Sequence, residues 1–167
     1  MIYIVCGVSG AGKTSVGIRL AELLTCPFYD ADDYHSDINI EKMANNIPLT
    51  DDDRSQWLEK LSQEIKGWNE HNKMSVLACS ALKEKYRKIL SKGSFDIVQY
   101  IFLDIDYDTA YRRLKARQNH FFSEELLKSQ YDILEINNNV LTVSMGNDNS
   151  VDEICSKIMT QIGKDML

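Results

Sequence analysis

The sequence predicts an α/β fold, a three-layer sandwich around a five-stranded parallel sheet. Two observations support this prediction. Short apolar runs suited to buried parallel strands alternate along the chain with helical patterns, and 167 residues are enough for one domain with a single substantial core. Consecutive parallel strands need right-handed crossovers, so each gap between them is expected to contain helix. The predicted strands are 2–6, 28–29, 76–79, 97–103 and 140–144.

Six helices are predicted in and after these gaps, at 13–24, from 50–53 onward, at 83–90, at 107–116, from 123 onward and from 150 onward. The second begins with Thr50 and Asp53 at the spacing of a capping box, and the last begins with a similar box. Trp57 and Trp68 recur in the second helix with helical period, which favours a buried helix face over a platform for a ligand. The prediction is a single domain over residues 1–167.

The composition limits the classes of function. A formal net charge of −6 leaves no basic excess to neutralise nucleic-acid phosphates, which argues against a nucleic-acid partner. The four cysteines show no CxxC pair and no metal-ligand spacing, so we expect reduced, structural thiols. The chain starts with a short apolar run that lacks a basic segment, and no later stretch is long enough to cross a membrane. We therefore expect a cytoplasmic protein with no membrane partner.

A phosphate-binding motif follows the first predicted strand. Residues 7–14, Gly-Val-Ser-Gly-Ala-Gly-Lys-Thr, fit GxxxxGK[ST] with a strand before them and a helix after them, as in P-loop NTPases. Glycines let the backbone turn its N–H groups inward as an anion nest at the helix N-terminus. Lys13 is expected to reach the β- and γ-phosphates as a catalytic cation, and Thr14 to supply a hydroxyl to Mg²⁺. The predicted nucleotide-binding residues are Gly7, Ser9, Gly10, Ala11, Gly12, Lys13, Thr14 and Ser15.

This motif occurs in many nucleotide-binding proteins, and a GTPase switch is the first alternative to a kinase. A GTPase would carry NKxD to read guanine and DxxG to sense the γ-phosphate. Asn72-Lys73 is followed by Met-Ser, and no glycine has Asp three positions before it. The sequence therefore favours a kinase.

A kinase also needs groups on the acceptor side, and an acidic cluster follows the second predicted strand. Asp30 and Asp32 stand at spacing i, i+2 at the strand end, so both carboxylates can project toward the phosphates. One can hold the water shell of Mg²⁺ while the other orients the acceptor hydroxyl and takes its proton. The alternative is a solvated acidic turn, and the position beside the phosphate loop favours the functional interpretation.

Cations further along the chain are candidates for binding an anionic substrate and the nucleotide. Arg54 lies in the first turn of a predicted helix, where a cation gains nothing from the helix dipole. It is either a bidentate clamp for a carboxylate or a surface arginine. Lys83 and Arg87 follow the third strand one helical turn apart. The cation-dense and then aromatic segment 112–122 suits a mobile lid over ATP, although a basic helix C-terminus alone explains part of its charge.

Together these segments resemble the small gluconokinases of the shikimate-kinase-like and adenylate-kinase-like P-loop group. The matches run in family order from residue 2 to about residue 135. The phosphate loop alone is generic, and the specific segments are Ile-Glu-Lys-Met at 40–43, Pro-Leu-Thr-Asp-Asp-Asp-Arg at 48–54, Cys-Ser-Ala-Leu-Lys at 79–83, Arg-Leu-Lys-Ala-Arg at 113–117 and His-Phe-Phe at 120–122.

The resemblance implies transfer of the ATP γ-phosphate to the 6-hydroxyl of D-gluconate, with ATP and Mg²⁺ as cofactors. It assigns Asp32 as the acceptor-side base and Asp30 as the holder of magnesium through water. It assigns Arg113 and Arg117 to ATP, with Arg117 also catalytic in a lid at about 117–123. The implied substrate-binding residues are Asp32, His35, Arg54, Lys83, Arg87 and His120. Members of this family are often dimeric, so a homodimer is one expected assembly, although no sequence feature identifies an interface.

Two alternatives stay open at this point. The same fold can phosphorylate another small hydroxylated acid, such as a shikimate-like substrate. A non-catalytic nucleotide-binding module is the second alternative, and the presence of Lys13, Thr14 and Asp32 argues against it.

Overall fold

The fold is described by a computed structural model for residues 1–70, 74–116, 124–137, 140–146 and 149–164. Within these residues, five strands form one parallel sheet in the spatial order β2-β3-β1-β4-β5. The predicted five-stranded parallel sheet is thus confirmed, with strand ends shifted by at most one residue. The strands are β1 (Ile2–Cys6), β2 (Phe28–Asp30), β3 (Ser75–Ala78), β4 (Val98–Asp104) and β5 (Leu141–Ser144).

Helices connect successive strands and cover both faces of the sheet. None of the helices in the described ranges is both long and apolar enough to cross a membrane. Short 3-10 turns lie at Ala31–Tyr34 and Phe95–Ile97. The α-helices are α1 (Lys13–Leu24), α2 (Asp37–Ala44), α3 (Asp51–Glu70), α4 (Glu84–Leu90), α5 (Tyr107–Lys115), α6 (Glu124–Asp132) and α7 (Val151–Lys164).

Side chains of the central strand β1 alternate between two hydrophobic cores. Ile4 and Cys6 point to the face covered by α3 and α4, whereas Tyr3 and Val5 point to the face covered by α1 and α7. All four are at most 1% exposed, which is why this strand is a continuous apolar run. A sheet buried on both faces requires two helical layers, so the fold is the predicted three-layer sandwich.

The predicted capping boxes are present and fix where two helices begin. At the start of α3, the Asp53 N–H donates to Thr50 Oγ1 at 3.2 Å, and the Thr50 N–H donates to Asp53 Oδ2 at 2.8 Å. Ser150 and Glu153 exchange the equivalent bonds at α7. Each box satisfies backbone donors that have no partner inside the helix.

Helix α2 was not predicted, because it lacks the apolar stripe that marks a helix packed on a core. Ile38 and Ile40 are 66% and 50% exposed. Its buried residue is Asn39, whose side chain donates to the Asp53 carbonyl at 2.8 Å. Ser36 caps the helix by accepting from the Asn39 N–H at 3.3 Å. Polar contacts with the start of α3, rather than hydrophobic burial, therefore hold α2.

All four cysteines, each within the described part of the chain, carry free thiols as predicted. Cys6, Cys79 and Cys155 are buried, and burial raises the pKa of Cys6 to about 12. Such thiols behave as small hydrophobic side chains rather than nucleophiles.

Candidate active site

The phosphate loop connects β1 to α1 and directs the free N-terminus of that helix into a cavity. Gly10 and Gly12 have φ of 82° and 91°, values that L side chains rarely adopt. Gly12 is the N-cap of α1 and provides no side-chain hydrogen bond to the first helical N–H groups. Those donors are therefore left for an anion, as in other helix N-terminal phosphate sites.

Lys13 begins α1 and is held inside the loop. Its Nζ donates to the Val8 carbonyl at 3.0 Å. Burial lowers the pKa of Lys13, and the charge of the nearby Asp32 carboxylate opposes that shift. Burial has removed the Lys13 ammonium group from bulk water. A polyphosphate bound in the cavity would place negative charge beside it.

A cavity of about 530 Å³ lies at the carboxyl ends of the strands, where parallel α/β sheets bind ligands. It brings together residues from six segments of the chain, which run from Ser9 to Gln130. The predicted site residues that line it are Ser9, Gly10, Gly12, Lys13, Thr14, Ser15, Asp30, Asp32, His35 and Arg54.

Other predicted residues lie elsewhere. Gly7 and Ala11 belong to the phosphate loop but are buried and do not line the cavity. The Gly7 N–H donates to the Ser80 carbonyl at 3.3 Å. Arg113, on α5, is not among the described residues that line the cavity. Arg117, His120 and the proposed lid at 117–123 fall outside the described residues.

Arg87 is not among the described residues that line the cavity, and its contact with substrate stays a prediction. The residue is 5% exposed. Its guanidinium donates to the carbonyls of Ala81 at 2.8 Å, Leu82 at 3.2 Å and Glu135 at 2.7 Å. A buried cation bonded to three carbonyls ties the end of β3 to the segment after α6, which is a structural role.

Lys83 also has a partner outside the cavity lining. Its Nζ lies 3.1 Å from Asp51 Oδ1, and the same carboxylate accepts from Lys85 and from the Tyr86 hydroxyl. Bonds from Lys85, Tyr86 and Lys83 hold the pKa of Asp51 well below its ordinary value. This cluster joins the start of α3 to the start of α4. A direct contact between Lys83 and substrate stays a prediction.

The same cluster supports Arg54, which lines the cavity. The Arg54 guanidinium donates to the Leu49 carbonyl and lies 5.6 Å from the centre of the Tyr86 ring. Tyr86 is fixed in turn by its bond to Asp51. Stacking on an aromatic face while hydrogen bonding through the edge orients a guanidinium fork. Of the two interpretations left open for Arg54, its position in the cavity favours a clamp over a surface arginine.

Thr14 and Asp30 form the part of the site suited to Mg²⁺. The Thr14 hydroxyl donates to Asp30 Oδ2 at 3.0 Å, and Asp30 Oδ1 accepts from the Asp32 N–H at 3.1 Å. Hydroxyl and carboxylate oxygens are ligands that Mg²⁺ prefers. This ion normally keeps several waters and binds substrate phosphates as well. Two protein oxygens beside a phosphate nest therefore fit magnesium held with a nucleotide.

His35 forms the wall between Asp32 and Trp57. Its imidazole is 4% exposed and stacks on the Trp57 ring with centroids 4.3 Å apart. Trp57 is fixed by a bond from Nε1 to the Ala31 carbonyl at 2.8 Å. Trp57 and Trp68 are 5% and 8% exposed, so the core interpretation is confirmed, but Trp57 lines the cavity as well.

Burial and the Arg54 charge lower the pKa of His35 to about 4. The Asp32 carboxylate is 3.8 Å from Nε2, beyond hydrogen-bond length, and is 84% exposed, so solvent weakens its opposing effect. Nδ1 has no hydrogen-bond partner among the described residues. His35 is thus a neutral imidazole at pH 7.

His35 is expected to make the fold sensitive to mild acid. Its folded pKa of about 4 lies below the ordinary 6.5, so the unfolded chain binds more protons between these values. The stabilising contribution is complete above pH 6.5 and is lost as the pH falls toward 4. Between pH 7.5 and 5 this amounts to about 2 kcal/mol. Urea unfolding of wild type and His35→Gln at both pH values measures this difference in the free energy of unfolding. The same pH dependence in both proteins would contradict the lowered pKa of His35.

Two walls of the cavity were not predicted from the sequence. Helix α2 contributes Ile40 and Met43, and α6 contributes Leu126, Ser129 and Gln130. Gln130 contacts a loop 121 positions away, so no local spacing could reveal the contact. The apolar residues of α2 gave no helical periodicity, because they lie on a partly exposed helix that packs against no core.

Gly10 has a backbone role that one substitution tests. A Cβ at this position would lie 2.7 Å from the Ala110 carbonyl oxygen, in addition to the strain of φ 82°. Gly10→Ala is expected to displace the loop from α5 and weaken ATP binding about tenfold or more, since left-handed strain alone costs roughly 1–2 kcal/mol. Gly67→Ala is the control, because a Cβ there meets no atom within 4 Å. In calorimetric titrations, Gly67→Ala should bind ATP with wild-type affinity. Equal ATP affinities of Gly10→Ala and Gly67→Ala would contradict the backbone role of Gly10.

Comparisons with known proteins agree with this geometry. Residues 9–163 match the shikimate kinase family. Thermosensitive gluconokinase from Escherichia coli (strain K12) is 45% identical over 133 residues, which cover 80% of this chain and 71% of that protein. A probable gluconokinase from Mus musculus is 40% identical, with 95% of each chain covered.

A solved structure shows the same likeness in three dimensions. The crystal structure of a gluconokinase from Sinorhizobium meliloti 1021 superposes with a TM-score of 0.86 and 34% identity. The match covers 97% of this chain and 91% of that one. The likeness therefore extends over nearly the whole chain in both sequence and structure.

Proposed function

The chain belongs to the gluconokinase family of P-loop kinases, and we propose that it transfers the γ-phosphoryl group of ATP to the 6-hydroxyl of D-gluconate. The observation that carries this proposal is the single cavity shared by the phosphate loop, Asp32 and Arg54. A phosphate site, an acceptor-side carboxylate and a cation for an anionic substrate are the three groups that phosphorylation of a sugar acid requires.

The loop and Lys13 bind the phosphates and stabilise the charge that develops on the transferring group. The first N–H groups of α1 face the cavity without side-chain caps. Lys13 is released from the Val8 carbonyl to the β- and γ-phosphates, which are stronger acceptors. Fixed donors at this point need no reorganisation during the reaction.

The substrate lies between Arg54 and Asp32. Arg54 binds the carboxylate of gluconate through its guanidinium fork, and neutral His35 accepts or donates a hydrogen bond to a hydroxyl of the chain. This places the opposite end of the substrate, with its 6-hydroxyl, near Asp32. Asp32 takes the hydroxyl proton as the oxygen–phosphorus bond forms and the bond from the γ-phosphorus to the bridging oxygen breaks, releasing ADP.

Thr14 and Asp30 would hold magnesium, Thr14 directly and Asp30 through water. When bound, the ion neutralises phosphate charge and orients the β- and γ-phosphates. The hydrogen bond that now joins the two side chains keeps both oxygens on the same side of the loop.

A coupled ADP-release assay over gluconate, shikimate, glucose and sorbitol tests the proposal. We expect gluconate to be turned over far faster than the other three. The match of residues 9–163 to the shikimate kinase family makes shikimate the second candidate, and preferential turnover of shikimate would overturn the gluconate assignment.

A further inference from the structure

Two hydrogen bonds join Gln130, on α6, to the centre of the phosphate loop. The Ser9 N–H donates to Gln130 Oε1 at 2.6 Å, and Gln130 Nε2 donates to Ser9 Oγ at 3.0 Å. A backbone N–H can only donate, so the amide oxygen must face it, which leaves the amide NH₂ for the serine hydroxyl. Both polar atoms of one side chain are therefore used on one residue of the loop.

Gln130 extends from a part of α6 that is well anchored. Leu127, one turn earlier, is fully buried in the core. The Tyr131 hydroxyl donates to the Ile105 carbonyl at 2.7 Å. After the helix, the Glu135 N–H donates to the Leu82 carbonyl at 2.9 Å. The amide is thus presented to the loop from a fixed support rather than from a free surface helix.

We propose that Gln130 is a positioning residue for ATP binding, because it anchors the phosphate loop at Ser9. Its amide turns the Ser9 N–H toward α6, while the neighbouring Gly10 packs against the Ala110 carbonyl of α5. Contacts with α5 and α6 therefore hold the middle of the phosphate loop in place. The N–H groups at the start of α1 therefore keep their direction into the cavity in the absence of ligand.

This anchoring acts on affinity rather than on the chemical step. A glycine-rich loop that is already ordered loses less conformational freedom when phosphates bind. Without the two bonds, the loop must be ordered by the nucleotide itself, so the substrate and transition-state complexes weaken together. Such a loss raises the KM for ATP and leaves kcat nearly unchanged.

Gln130→Met tests the anchor, because methionine is close to glutamine in size and lacks the amide. We expect the Kd for MgATP, measured by calorimetry without gluconate, to rise about tenfold, the effect of losing one or two neutral hydrogen bonds. In steady-state assays, kcat and the KM for gluconate should stay within about twofold of wild type. Lys128→Met, on an exposed position of the same helix, is the matched control and should bind ATP as wild type does.

Ser9→Ala removes only the bond to the hydroxyl and leaves α6 untouched, so it tests the proposal even if Gln130→Met lowers stability. We expect a rise of about threefold in Kd, and no further rise when Ser9→Ala is added to Gln130→Met. Wild-type affinity of Ser9→Ala for MgATP would overturn the proposal. So would a double variant whose rise in Kd equals the product of the rises in the two single variants. The proposal for Gln130 rests on the proposed function only for the steady-state measurements of kcat and KM with gluconate. Failure to phosphorylate gluconate would leave the ATP titrations to decide on Gln130.

Discussion

Replacing Asp32 by asparagine is expected to lower kcat by about 10²–10⁴-fold, the usual range for loss of a general base. Asparagine keeps the size and polarity of the side chain but cannot accept the hydroxyl proton. Phosphoryl transfer through a loose transition state needs little help from a base, so we expect the lower end of this range. ATP affinity should stay near that of wild type, because the phosphate loop is unchanged.

Two neighbouring carboxylates provide matched comparisons, of which Asp33 is the control. Asp30→Asn is expected to raise the Mg²⁺ concentration needed for half-maximal activity, because Asp30 is bonded to Thr14 beside the phosphate nest. Asp33 is exposed and is not among the described residues that line the cavity, so Asp33→Asn should change neither parameter. Steady-state kinetics with varied Mg²⁺ separates the three variants. If Asp32→Asn kept more than about half of the wild-type kcat, the assignment of Asp32 as the base would be wrong.

Loss of Arg54 is expected to remove the preference for an anionic substrate. Arg54→Ala should lower kcat/KM for gluconate by about 30- to 1000-fold, which corresponds to roughly 2–4 kcal/mol for a charge-assisted bidentate contact. Turnover of sorbitol, which has similar hydroxyls and no carboxylate, should be low in wild type and change little in the variant. The preference for gluconate over sorbitol should therefore collapse.

Arg54→Lys and Arg19→Lys complete this experiment. Lysine retains the charge at position 54 but cannot form the fork or stack on Tyr86 in the same way, so it should recover only part of the activity. Arg19 is an arginine on α1 that pairs with Asp152 and Glu22 at the surface, and its replacement should have no effect. Equal rates of wild type on gluconate and sorbitol would contradict the clamp.

The sequence predicted those parts of the molecule that depend on local patterns. The strand β1 is a run of buried residues, and the loop after it carries a motif with a specific backbone requirement. The boxes at Thr50 and Ser150 involve residues three positions apart, so their hydrogen bonds could be read from spacing. Asp30 and Asp32 were placed because residues that follow parallel strands meet at the same edge of the sheet.

Contacts between distant segments could not be predicted in this way. Arg87 has the spacing expected of a substrate ligand, but its guanidinium satisfies the carbonyls of Ala81, Leu82 and Glu135, and only the packed structure shows those partners. Gln130 is the opposite case, a polar residue on an ordinary helix that meets Ser9 across 121 positions. Helix α2 was missed because a helix held by capping and by the Asn39 bond leaves no hydrophobic period.

Identification of the product tests the central claim most directly. Incubation of the protein with MgATP and D-gluconate, followed by phosphorus and proton NMR, should give one phosphate monoester. Its phosphorus should couple to the two protons on C6, and ADP should form in equal amount. ADP released without a new phosphate ester, or an ester on any oxygen other than that of C6, would contradict the account.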